Sequence, residues 1–61
     1  MTDLINSIQK SIDYDNYLLA LLNELKPDDQ LTYLPIIQDS IESNTQLINQ
    51  LNEKRINNTD N

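Results

Sequence analysis

The sixty-one residues include no cysteine, histidine, glycine, tryptophan, phenylalanine or valine. Without cysteine or histidine there is no disulfide framework, no zinc ligand set of the usual kind, no thiol nucleophile and no imidazole base. Without glycine the primed turns that close β-hairpins lose their main residue. Valine is missing too, and three tyrosines are the only aromatics, so sheet structure is not expected. Positive charge is scarce: four Lys and Arg face ten Asp and Glu, a formal charge of −6. The longest apolar run, Leu18 to Leu22, falls far short of the ~20 residues of a membrane span. The opening Met-Thr-Asp-Leu-Ile-Asn lacks the basic and apolar blocks of a signal peptide. These absences lead us to expect a soluble, intracellular protein with no cofactor, no metal, no membrane segment and no small-molecule substrate.

Leucine and isoleucine are abundant. They supply 18 of the 61 residues, enough to keep the chain out of the disordered class. A chain this short still buries only about 60% of its unfolded surface, so one domain stabilised by association is expected. That domain is assigned to 1–56, with 57–61 as a flexible polar tail.

The apolar residues recur with helical spacing. In the first half they fall at 4, 5, 8, 12, 18, 19, 22 and 25, which predicts a helix over about 2–25. Thr2 and Asp3 suit its start, and Lys26 followed by Pro27 suits its end. In the second half, Leu34, Ile37, Ile41, Asn44, Ile48, Leu51 and Arg55 alternate by three and four, predicting a helix over about 32–55. Pro35 fits if Thr32 caps this helix and the proline falls in its first turn. A short helical turn from Asp28 to Tyr33, kinked at Pro35, is the alternative. Lys54 and Arg55 would close the helix.

A connection of about Lys26 to Gln30 makes the two helices antiparallel neighbours. Pairing positions that sum to 59 sets Leu25 against Leu34, Leu22 against Ile37, Leu18 against Ile41 and Asp15 against Asn44. Ser11 or Ile12 then meets Ile48, Ile8 meets Leu51 and Leu4 meets Arg55. Asp15 and Asn44 are the single polar break in each seam. They read either as a buried polar layer that fixes register or as seam-edge residues that face water.

Two helices bury one stripe each, and this sequence has more than two stripes. Tyr14, Tyr17 and Leu21 in the first helix, with Tyr33, Ile36 and Leu47 in the second, lie off the seam. They are the expected partner interface. A second hairpin packed on them would give a four-helix bundle, an all-α dimer. Local helix support is thin, with one Ala against nine Asn and no Glu-to-Lys pair at i, i+4. Helicity should therefore depend on packing.

Leu22-Asn23-Glu24-Leu25, then two residues, then Asp28-Asp29-Gln30, resembles the bend of the Rop family of plasmid copy-number regulators. The resemblance implies a helical hairpin forming an antiparallel four-helix dimer that binds RNA along its first-helix face. Aligned on the turn, Asn6 keeps a family RNA-contacting residue type, while Lys10, Tyr14 and Leu21 depart at the other three positions. The layout carries over and most of the RNA contact set does not.

Little catalytic chemistry is on offer. Asp13 and Asp15 point apart on a helix, and Asp28 and Asp29 serve as turn and cap residues. Lys10, Lys26, Lys54 and Arg55 are too few and scattered for a nucleic-acid stripe. The −6 divides as −4 over 1–30 and −2 over 31–61, which suits solubility better than mimicry of a nucleic acid. Asn57-Asn58-Thr59 fits the glycosylation pattern incidentally. The leading expectation is a non-enzymatic protein-protein interaction module that associates with itself or with another helical protein. The alternative is a small acidic regulator that binds RNA or occupies a basic nucleic-acid-binding protein surface.

Overall fold

A computed structural model describes the backbone of residues 2–59 and the side chains of 2–55. The chain forms two helices packed against each other, α1 (Thr2–Leu21) and α2 (Pro27–Thr59), and no strand occurs among the described residues. Their 20 and 33 residues give lengths of roughly 30 and 50 Å at 1.5 Å per residue. The whole is a rod of 53 × 16 × 10 Å, so one dimension is a single helix thick.

The hairpin turns without glycine. A 3₁₀ turn at Leu22–Glu24 tightens the end of α1, and the Leu25 N–H donates to the Leu22 carbonyl at 3.0 Å. Leu25 is extended (φ −94°, ψ 162°), and no described residue has a positive φ. Pro27 opens α2, where its missing N–H has no intrahelical role, and Asp28 and Asp29 place negative charge in the first turn. The Gln30 N–H donates to the Lys26 carbonyl at 3.0 Å, and its side-chain amide donates to the Leu25 carbonyl at 2.8 Å. A proline and a glutamine thus fix the bend where glycine commonly would.

Three expected boundaries differ. α1 stops at Leu21 rather than 25, because the chain tightens into the 3₁₀ turn before it reaches Pro27. α2 begins at Pro27 rather than 32, so Pro35 lies inside the helix and Thr32 is not its cap. Thr32 Oγ1 instead donates to the Asp28 carbonyl at 3.1 Å, from within the helix. α2 also continues past Lys54 and Arg55 to Thr59, into the stretch expected as tail; Asp60 and Asn61 lie outside the described residues.

Pro35 survives inside α2 because of where it lies. It is exposed, as is Leu31 one turn earlier, whose carbonyl loses the N–H it would otherwise receive. On an outer face that carbonyl is open to water, so the missing bond is not a buried unsatisfied group.

The core is thin. Among the described residues Ile8 and Ile12 are the most enclosed apolar side chains, each 8% exposed, and none is fully buried. Leu18, Leu19, Leu22, Leu34, Ile37, Ile41, Ile48 and Leu51 are half-buried along the line where the helices meet. Leu25, expected in this seam, is 39% exposed, because its extended backbone leaves the helical surface. Leu4, paired with Arg55 in the expected register, is 52% exposed.

Candidate functional site

One flank of the hairpin carries most of the side chains expected outside the seam. Along α1, Tyr14, Tyr17 and Leu21 recur at i, i+3 and i+7 and share a face. Tyr14 and Tyr17 are 61% and 58% exposed, their rings 6.3 Å apart and tilted at 45°; Leu21 is half-buried. In α2, Tyr33, Ile36 and Leu47 are exposed, Ile36 at 61%. The two sets meet at the turn end, where Leu18, Leu21, Leu22, Leu25, Tyr33 and Ile36 line an open apolar groove with Glu24 at its lip.

Toward the middle of the rod the same flank becomes polar. Lys10, Ser11, Tyr14, Asp15, Ser40 and Asn44 line a shallow groove there. Asp15 and Asn44 are both half-buried, which places the expected polar layer at the seam edge. Asp15 finds its hydrogen bond with Ser40, whose hydroxyl donates to Oδ2 at 2.6 Å. Asn44 lines the same groove one α2 turn beyond Ser40. Ser40→Ala is expected to change stability by less than about 1 kcal/mol in thermal denaturation. Loss of an exposed hydrogen bond costs about 1 kcal/mol, and the better helix propensity of alanine returns about half of it.

A second apolar groove opens across the helix contact from the first. Leu19, Leu22, Asn23, Pro27, Gln30, Leu31 and Leu34 line it, with no charged side chain among them. Leu31, 72% exposed, is its most prominent feature and was not among the expected interface residues. The 3-4 seam steps back from Leu34 to Gln30, so Leu31 lies one residue off it and the seam pattern does not mark it.

Folding gathers charge that the linear halves disperse. Residues 13–42, the turn half of the rod, hold Asp13, Asp15, Glu24, Asp28, Asp29, Asp39 and Glu42 against Lys26 alone. That is the full −6. The rest of the sequence balances Asp3, Glu53 and Asp60 with Lys10, Lys54 and Arg55. Of the eight large apolar side chains exposed among the described residues, all but Leu4 and Leu47 also fall in the turn half.

The remaining candidates are dispersed. Among the described residues no three acidic side chains converge as a metal-holding group, and no helix is long and apolar enough to cross a membrane. Asn6, Lys10 and Tyr14 lie exposed on one face of α1, with Leu21 half-buried on the same face. No family model matches the chain, and no curated protein or solved structure matches it.

Proposed function

We propose that this hairpin is a non-enzymatic interaction module that completes its core by packing against further helices, in a second copy of itself or in a larger helical assembly. The observation that carries this reading is the apolar flank left open by a two-helix rod. A compact chain of 61 residues would have a radius of gyration of about 10.5 Å, whereas this one has 15.1 Å. Its accessible surface is 4800 Å², against about 4100 Å² for a typical folded monomer of 7.1 kDa. A four-helix bundle built from two hairpins would use that flank, in the layout that the turn resembles.

Sedimentation equilibrium with circular dichroism at two concentrations tests this proposal. Mass above 7.1 kDa is the expected result where the further helices belong to a second copy, and a helical 7.1 kDa hairpin where they belong to another protein. A fully helical monomer at every concentration would overturn the bundle. Tyr17→Lys together with Leu21→Lys is expected to lower the mass to that of the hairpin while α1 and α2 still pair, since these side chains lie on the open flank. Unchanged mass would move the interface to the Leu31 groove.

A further inference from the structure

We propose that the turn half of the hairpin docks a basic amphipathic helix of another protein, in the groove lined by Leu18, Leu21, Leu25, Tyr33 and Ile36. The inference rests on the association reading above and names the occupant of that face. Two properties coincide in this half: six of the eight large apolar side chains exposed among the described residues, and a charge equal to the full −6. Each alone has a simple account, as a helix-packing face or as charge for solubility. Together they discriminate among partners.

A second copy that joined groove to groove would set −6 beside −6. Like charges brought together in this way suppress a pairing. A second copy laid antiparallel over the full rod would avoid the clash, but it would cover the groove with the open half, where Leu4 and Leu47 are the large apolar side chains exposed among the described residues. A cationic helix with apolar anchors at i, i+3, i+4 and i+7 meets both requirements. Two of the seven carboxylates of this half are placed for such a helix. Glu24 lies at the groove's lip, and Asp29 precedes Tyr33 and Ile36 at i, i+4 and i+7, on the same side of α2. From Tyr14 to Leu25 the flank runs about 16 Å, three turns of a docked helix. The Leu31 groove, which lacks charged side chains, has no such complement.

The probe is a fluorescent synthetic helix with leucine at i, i+3, i+4 and i+7 and lysine elsewhere, compared by anisotropy with a twin that carries glutamate in place of lysine. The lysine helix is expected to bind at least about tenfold tighter, with the advantage shrinking at high salt. Ile36→Gln, at an exposed position, is expected to weaken it about five- to tenfold. Glu24→Gln with Asp29→Asn should weaken it about three- to tenfold at low salt and less at high salt. Asp3→Asn with Glu53→Gln, at the open end, should leave it unchanged, and circular dichroism of each variant checks that the hairpin persists. Equal binding of the two helices, or equal loss from the open-end pair, would overturn the proposal. A stable homodimer that ignores the lysine helix would overturn it while leaving the association reading intact. A helical monomer that binds neither helix would overturn both.

Discussion

Replacing Ile12 with alanine is expected to cost about 2–3 kcal/mol and to lower the melting temperature by roughly 10–20 °C at fixed protein concentration. The value is at the lower end of the usual range for Ile→Ala because the site, at 8% exposure, is close enough to solvent for the surroundings to relax. Its consequence is large because little else is enclosed. Ile8 and Ile12 are the most buried apolar side chains among the described residues, and a chain of this size has only about 3–5 kcal/mol of stability to lose. Far-UV circular dichroism during thermal and urea denaturation would read the effect, with Ile8→Ala as its counterpart. A loss below about 1 kcal/mol would show that the helices are held elsewhere.

Pro35→Ala should act in the opposite direction, raising stability by about 1–2 kcal/mol. A proline within a helix removes one backbone hydrogen bond and crowds the carbonyl four residues back, at about 3 kcal/mol. Part of that cost is absent here, since the Leu31 carbonyl lies on an exposed face where water can reach it. Another part is offset in the unfolded chain, which proline stiffens by about 0.4–1 kcal/mol. What remains favours alanine, and the melting temperature should rise by roughly 5–15 °C. Should the variant prove less stable, Pro35 would be supplying outward curvature that wraps α2 around α1.

Pro35 also shows where the sequence misleads. Read as a helix-start residue, it moved the start of α2 to Thr32, although Pro27 followed by Asp28 and Asp29 is the stronger start signal. Two helices, their order and their antiparallel pairing were legible because the 3-4 spacing of Leu34, Ile37, Ile41, Ile48 and Leu51 survives any single breaker. The outward placement of Tyr14, Tyr17, Tyr33 and Ile36 was legible for the same reason, as residues left over once the seam is assigned. Side-chain partners were not. Asp15 accepts a hydrogen bond from Ser40, a partner that a pairing of seam positions alone does not name. The charge pattern was hidden by counting along the chain, because the acidic half of the rod is the middle of the sequence.

The bend without glycine has a consequence for binding kinetics. Pro27 has a fixed φ, Leu25 is extended, and the Gln30 side chain ties the two sides of the turn together. Such a joint has little freedom to hinge, so its ordering entropy is lost when the chain folds and not when a partner arrives. A helix approaching the groove would meet a surface already in its bound shape. Changes in affinity among groove variants should then be seen mainly in dissociation rates, while ionic strength sets the association rate.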